Sequence, residues 1–365
     1  VVTVLIAGGG TGGHVFPMLA VGDAIRAVER DADVFYVGTA RGIESRVMKE
    51  RGEDLELLDV APLRGGGVRG FLSGMVRAAR SLPAARKLVA RRRPDVVLSV
   101  GGYAGGPVAL AARMMGVPLA ILEPNGVLGL SNKLLVPVID RAYTGFGDLD
   151  RRLRGDVARA FGVPLRRAFE RSTYQPEAGR LRVLVLGGSL GAVALNQAVP
   201  AAFAKLVAEV PRATIVHQTG RGRSEEVRAA YAAEGITTAA RVSDFIDDVA
   251  SELASADVVI QRAGASSLAE LCAIGRPSIL VPFPFAADQH QLANARSLEK
   301  AGAAVALPQA EATSERLARE LLGLANDPAR RERMAECAAR EGKPEAARDI
   351  ALDLLELSRT KKARS

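Results

Sequence analysis

With 365 residues, 48% of them apolar and 25% charged, the chain has a globular composition and is long for one hydrophobic core, so two domains of similar mass are expected. Aromatic residues make up 4% and Trp is absent, which argues against an aromatic-lined carbohydrate platform and a base-stacking surface for single-stranded nucleic acid, so the formal charge of +8 needs another partner. The only cysteines, Cys272 and Cys337, argue against a disulfide framework and fit a reducing compartment.

Val1 to Ala7 is a β-branched and aliphatic run of strand length, without the charged and apolar pattern of a signal peptide. It leads into Gly8-Gly9-Gly10-Thr11-Gly12-Gly13-His14, and the first helix is expected near Phe16-Pro17. Gly8, Gly10 and Gly13 satisfy G-x-G-x-x-G, which raises a dehydrogenase reading. That reading needs an acid at the end of the second strand to hold a ribose, and here Asp33 to Val37 ends in Gly38-Thr39. The loop instead suits close approach of a phosphate or sugar, with His14 beside it in a chemical role.

Residues 41 to 60 predict an amphipathic helix and a third strand, followed by a loop from Leu63 to Val68. From Arg64 to Arg93 there are nine Lys or Arg and no acid, with Phe71, Leu72, Met75, Val76 and Leu82 interleaved at helical spacing. Two readings stay open. The segment can lie on anionic lipid, at about 1 kcal/mol per basic residue near the surface, or its apolar stripe can face its own sheet. Nucleic acid is not expected, because no recognition motif accompanies the charge. No run is long and apolar enough to span a bilayer.

Pro94 to Val100 predicts a buried strand ending in a second glycine-rich loop, Gly101 to Pro107, which carries Tyr103. Leu119 to Leu122 predicts another, ending in Glu123-Pro124-Asn125-Gly126 and followed by Gly129-Leu130-Ser131-Asn132-Lys133. In a doubly wound sheet such loops gather at the carboxyl ends of the strands. Glu123 and Asn125 read either as turn formers or as site residues. A short strand near Val157 to Phe161 precedes a hinge at Gly162 to Arg166 and a polar linker at Tyr174 to Gly179.

The second half repeats the first. Leu181 to Gly191 is again strand and glycine loop, and Ser189 with the N–H groups of the next helix, Ala192 to Ala208, suits a diphosphate. His217 closes the following strand without an assigned role. After the strand at Ala256 to Ile260, a helix over Ser266 to Ile274, stopped by Gly275 and Pro277, presents its N-terminus at Ala265, Ser266 and Ser267. Glu270 lies about one turn further in, where a carboxylate can accept from two ribose hydroxyls. A strand from Ser278 to Pro282 leads to Asp288-Gln289-His290-Gln291 and Asn294, polar groups that suit sugar hydroxyls. The end of the chain reads as helical, with Ile350, Leu354 and Leu357 on one face.

GGGTGGHVFP, GGY, E-x-NG, G-L-x-NK and the 262–294 segment together resemble the MurG family, glycosyltransferases of the GT-B type. The resemblance covers almost the whole chain. It implies an α/β fold of two Rossmann-like doubly wound domains facing a central cleft. Residues 1–163 would form the acceptor and membrane-associating domain and 164–343 the UDP-sugar domain, with a helix at 344–358 returning to the first. It implies inverting transfer of N-acetylglucosamine from UDP-N-acetylglucosamine to the muramoyl 4-hydroxyl of undecaprenyl-linked lipid I, forming lipid II. With that come peptidoglycan synthesis, cell-wall biogenesis, cell shape and division, and a peripheral place on an anionic membrane surface, the cytoplasmic face of the inner membrane.

Carried over residue by residue, the resemblance makes His14 the base, with Glu123 as runner-up. The donor would meet Thr11, Gly12, Gly13, Asn125, Arg166, Ser189, the Ile246 backbone, Ala265, Ser266, Ser267, Leu268, Ala269, Glu270 and Gln291. Tyr103 and Asn132 would lie on the acceptor side. No cofactor and no metal are expected, since the Asp31/Asp33 and Asp148/Asp150 pairs read as loop residues. The chain departs from the family at Leu122, Pro124, Val163 and Leu190, where polar residues are usual. A UDP-sugar glycosyltransferase with a diacylglycerol acceptor, or a UDP-sugar epimerase or binding protein, stays open as an alternative.

Overall fold

The computed structural model describes residues 1–10, 12–40, 43–60, 67–147, 149, 153, 156–166, 168–188 and 191–362, without the side chains of 67–79, 103, 361 and 362. The chain divides into two compact units, Val1–Arg166 with Pro344–Ser365, and Arg167–Lys343.

Unit 1 is built on seven parallel strands: β1 (Thr3–Ala7), β2 (Asp33–Gly38), β3 (Leu55–Leu57), β4 (Val96–Ser99), β5 (Leu119–Glu123), β6 (Arg141–Thr144) and β7 (Ala158–Arg159). Their order is β3-β2-β1-β4-β5-β6-β7, so the sheet changes direction between β1 and β4. The helices are α1 (Gly12–Val28), α2 (Glu44–Arg51), α3 (Gly67–Arg92), α4 (Gly102–Met114) and α5 (Leu130–Leu135). Alternation along β1 sends Val4 and Ile6 to one face, with α1, and Leu5 and Ala7 to the other, with Leu88 and Val89 of α3 and Val108 of α4.

Unit 2 repeats the plan with six parallel strands: β8 (Arg182–Leu186), β9 (Thr214–Gln218), β10 (Ala240–Ser243), β11 (Val258–Gln261), β12 (Ser278–Leu280) and β13 (Ala304–Ala306). Their order, β10-β9-β8-β11-β12-β13, puts the reversal between β8 and β11. The helices are α6 (Val193–Glu209), α7 (Ser224–Ala233), α8 (Val249–Ser255), α9 (Ala265–Ile274), α10 (His290–Lys300), α11 (Ser314–Ala325) and α12 (Pro328–Glu341).

The last helix, α13 (Ala346–Lys362), belongs to unit 1. Ile350, Leu354 and Leu357 are buried in the same core as Val4, Ile6 and α1. Each contributes about 1.5–3 kcal/mol by leaving water. Asp353 pins the helix to the sheet by accepting from Tyr143 Oη at 2.7 Å and Arg141 Nε at 3.2 Å.

Three local expectations need correction. The first helix starts at Gly12 rather than at Phe16, so His14 lies in its first turn. The second glycine-rich run is the start of α4 rather than a loop. Glycine disfavours helices by about 1 kcal/mol relative to Ala, but close packing decides here. A Cβ on Gly102 would collide with the Gly9 carbonyl, and one on Gly105 would lie 2.6 Å from Ser99 Oγ. Third, the segment from Tyr174 is anchored as well as polar. Tyr174 Oη donates to the Asp257 carbonyl at 2.8 Å, the buried Arg276 guanidinium lies 5.2 Å from the Tyr174 ring centre, and Arg276 Nη2 reaches Ser172 Oγ at 2.6 Å.

Candidate active site

The carboxyl ends of β1, β4 and β5 bring the unit 1 candidates together. Gly8 to Gly10 follow β1, and their shape is set by Glu44, a buried carboxylate from the first turn of α2. Its Oε2 accepts from Gly10 N at 2.9 Å, while Oε1 accepts from Thr39 N and Thr39 Oγ1, each at 2.9 Å. A Cβ on Gly9, at φ +136°, would collide with this carboxylate. The acid that a dinucleotide site needs after the second strand is thus present in space, five residues past Thr39. It is turned inward and occupied by the loop itself.

His14, half-buried, stands beside Gly101, the residue that starts the turn after β4: a Cβ built on Gly101 would lie 3.6 Å from His14 Nε2. Glu123, at the end of β5, is buried. Its Oε1 accepts from Asn125 N at 3.2 Å and Asn125 Nδ2 at 3.1 Å, and its Oε2 from Gly129 N at 2.8 Å and Asn132 Nδ2 at 3.1 Å. Burial raises the Glu123 pKa and these donors oppose the rise. Leu122 faces the core and lends its carbonyl to Asn132 Nδ2 at 3.0 Å. Val163 is buried with its methyl against Gly145, so at these two positions core packing stands where the family usually has a polar group. Arg166 is exposed, its guanidinium 5.0 Å from the Phe16 ring centre of α1.

In unit 2 the helix starts divide into two kinds. The structural ones are capped by carboxylates or a hydroxyl. Asp244 accepts from the N–H groups of Gly222, Arg223 and Ser224, bonds that hold its pKa down at about 2. Asp248, Thr313 and Asp327 cap α8, α11 and α12. The helices after β8 and β11 have Ala192 and Gly264 at the N-cap and, like α10 with Gln289 there, no side-chain cap, so their first-turn N–H groups are left without that partner. In the first turn of α9, Ser266 Oγ is buried without a hydrogen-bond partner among the described residues, as is Gln261 Oε1 at the end of β11. Ala265, Leu268 and Ala269 are buried, whereas Ser267 and Glu270 are half-buried.

Gln291 braces the neighbouring loop, its Oε1 accepting from Phe283 N at 2.9 Å and Ala263 N at 3.3 Å. Buried Asn294 donates to the Ala263 carbonyl at 3.1 Å. These two polar groups therefore hold the turn that starts α9. Ile246 is buried just after β10. His217, unassigned from sequence, sits in the core with Nδ1 3.0 Å from Tyr231 Oη and Nε2 3.2 Å from Asn196 Oδ1. Asn196 in turn donates to the Thr219 carbonyl at 3.0 Å, beneath the turn after β9.

Thr11, Ser189, Leu190, Asp148 and Asp150 lie outside the described residues, and Tyr103 is placed in the first turn of α4 by its backbone alone. Asp31 and Asp33 are exposed before and at the start of β2, the end of the sheet opposite the glycine turns. Among the described residues no three His, Cys, Asp or Glu cluster closely enough to hold a metal. Glu44 is the feature that sequence reasoning overlooks. The free starts of α6 and α9 are readable, since Ala192 and Gly264 stand where Ser, Thr, Asp or Asn is usual.

Two family models match, the glycosyltransferase family 28 N-terminal domain over residues 4–144 and the C-terminal domain over 182–350. The chain is 63% identical, over its full length and 90% of the relative's, to the UDP-N-acetylglucosamine--N-acetylmuramyl-(pentapeptide) pyrophosphoryl-undecaprenol N-acetylglucosamine transferase of Sorangium cellulosum. The crystal structure of Acinetobacter baumannii MurG superposes with a TM-score of 0.82 at 31% identity, covering 98% of this chain and all of that one. A UDP-GlcNAc 2-epimerase from Neisseria meningitidis shares the fold alone, with a TM-score of 0.69 at 13% identity over 97% of this chain and 100% of that one. With both halves matched and the full-length identity well above what fold alone gives, the chain belongs to the MurG family of glycosyltransferases, within family 28.

Proposed function

We propose that the enzyme transfers N-acetylglucosamine from UDP-N-acetylglucosamine to the 4-hydroxyl of the N-acetylmuramyl group of pyrophosphoryl-undecaprenol-linked lipid I, giving lipid II with inversion at the sugar carbon. The observation that carries this reading is the full-length 63% identity to the Sorangium transferase.

Unit 2 holds the donor. The uncapped starts of α6 and α9 offer N–H groups and the positive ends of two helix dipoles to the pyrophosphate, and Ser189 and Ser266 add hydroxyls. Glu270 accepts from the ribose hydroxyls and the Ile246 backbone meets the uracil. Gln291 keeps the loop before α10 against Ala263. Thr11, Gly12, Gly13, Asn125 and Arg166 are assigned to the donor as well, with Arg166 adding a positive charge for the diphosphate, and Tyr103 and Asn132 are assigned to the acceptor.

In the transfer, the 4-hydroxyl oxygen bonds to the donor C1 as its proton passes to His14 Nε2. The C1–O bond to the β-phosphate breaks and UDP leaves with the electron pair, so a single displacement turns an α donor linkage into a β product. His14 fits the base better than Glu123, because both Glu123 oxygens already accept from their own loop. Glu123 then acts as the loop's organiser. The charge of the leaving group is met by helix ends and arginine, with no metal in the scheme.

The membrane face is assigned to α3 and its neighbours. Among the described residues no helix is long and apolar enough to cross a membrane. Leu110 and Met114 of α4, Met115 just after it, and Leu134 of α5 are exposed, and α4 packs on both α3 and α5. The far end of α3 serves the fold instead, since Leu88 and Val89 are buried, Arg92 pairs with Asp54 and Glu56, and Arg91 pairs with Glu56. Co-sedimentation with anionic but not neutral vesicles, reduced by Leu134→Ser with Met114→Ser, is the expected result; equal binding to both vesicles would reassign this face.

The function itself is tested by transfer of radiolabelled sugar to a lipid I analogue. Label is expected from UDP-N-acetylglucosamine and not from UDP-glucose. Binding of the donor without transfer to lipid I would leave the donor site and remove the acceptor.

A further inference from the structure

Asn132 lies in the first turn of α5 and is 3% exposed. Its Nδ2 stands 3.0 Å from the Leu122 carbonyl and 3.1 Å from Glu123 Oε2. Both neighbours are acceptors, so the amide orientation is settled by chemistry: the nitrogen must face them and Oδ1 must face away. Asn132 Oδ1 is nevertheless buried and has no hydrogen-bond partner among the described residues. A buried acceptor left open in this way opposes folding and marks a place where a ligand supplies the donor.

Beside this amide is a gap left by a missing side chain. Gly101 has φ +84°, a conformation that favours glycine, and the point its Cβ would occupy is 3.6 Å from His14 Nε2, 3.7 Å from Asn132 Nδ2 and 3.8 Å from Asn132 Oδ1. Imidazole and amide oxygen thus border one small space. An amide oxygen only accepts, so it rejects phosphate and carboxylate oxygens and selects a hydroxyl or N–H. On a muramyl ring the carbon on one side of C4 carries an ether oxygen, which has no hydrogen. The carbon on the other side carries the primary alcohol. The 6-hydroxyl is therefore the hydroxyl donor nearest to the attacking 4-hydroxyl.

We infer that Asn132 is a specificity-determining residue that accepts a hydrogen bond from the 6-hydroxyl of the acceptor sugar, its oxygen aimed by Glu123 and Leu122, while His14 faces the neighbouring 4-hydroxyl. The inference rests on the lipid I reading above. It also defines what Glu123 contributes, since Glu123 Oε2 holds the Asn132 nitrogen and so presents the oxygen.

The test compares kcat/KM for a lipid I analogue with that for the same analogue lacking its 6-hydroxyl, in the wild type and in Asn132→Ala. The wild type is expected to disfavour the 6-deoxy acceptor on the order of 100-fold, because the buried oxygen is then left open. Asn132→Ala is expected to use both acceptors within about 2-fold of each other while its KM for UDP-N-acetylglucosamine stays near the wild-type value. Equal use of the two acceptors by the wild type overturns the inference whether or not the variant folds, and so does a folded variant that keeps the full discrimination. If the wild type transfers to no lipid I analogue at all, it is the acceptor reading that fails, a result distinct from either.

Discussion

The turn after β1 and the turn after β11 each follow a central strand beside the point where their sheet's strand order reverses, yet they present opposite chemistry. In the first, Glu44 occupies the Gly10 N–H from below, and its negative charge disfavours an anion at that point. In the second, Gly264 caps nothing and Ser266 Oγ has no partner among the described residues, so the helix start keeps its positive end unopposed by a side-chain cap. A single buried carboxylate therefore separates a glycine turn whose N–H is already taken from a helix start without a side-chain cap.

The largest effect expected falls on the first turn. His14→Ala should lower kcat by about 10²–10⁴-fold, the usual worth of a general base, with UDP-N-acetylglucosamine binding retained in unit 2. Single-turnover transfer checks it, and a loss below about 5-fold would take the base away from His14. Next, Glu44→Ala leaves the Gly10 and Thr39 donors without their acceptor and should cost about 3 kcal/mol of stability. The urea midpoint measures this; an unchanged midpoint would mean the plug is dispensable and the contrast between the two turns superficial.

On the unit 2 side, Glu270→Ala should weaken UDP-N-acetylglucosamine binding by about 10-fold or more, since hydrogen bonds to a charged group contribute about 1.5–3 kcal/mol. Calorimetric titration is the check, and unaltered affinity would move the ribose elsewhere. At neutral pH the smallest effect lies beneath the turn after β9, where the consequence appears only on acidification. Burial holds the His217 pKa down at about 3 against an ordinary value of 6.5. The unfolded chain therefore binds a proton that the native state refuses, and stability should fall as pH drops from about 6.5 toward 3, by about 1.4 kcal/mol per unit. In His217→Gln this part of the acid slope should disappear; an identical slope in both proteins would assign acid sensitivity to other groups.

Much of the fold is legible in the sequence because strands and caps are local. The buried runs at Val4 and Val258 appear where their apolar periodicity puts them, and α9 starts at Ala265 after a glycine and stops at another. What cannot be read depends on contacts distant along the chain. Gly102 reads as loop because its propensity says so, and only the Gly9 backbone packed against it explains a helix there. Glu44 reads as one more acid on an amphipathic helix; its role appears once β2 and α2 fold back under Gly10. Resemblance alone puts Asn132 on the acceptor side, and the direction of its amide depends on Glu123, nine residues earlier.

The return of α13 to the first sheet has a consequence for how the protein is made. A ribosome delivers all of residues 1–166 before it starts unit 2, yet Ile350, Leu354 and Leu357, which close the first core, are made only after the whole of unit 2. Unit 2 is contiguous from 167 to 343 and can complete its core during synthesis, whereas the earlier unit waits with the α13 part of one sheet face uncovered. The half of the enzyme that is written first is thus the half that is finished last, and a premature stop before residue 346 would damage the N-terminal unit rather than the C-terminal one.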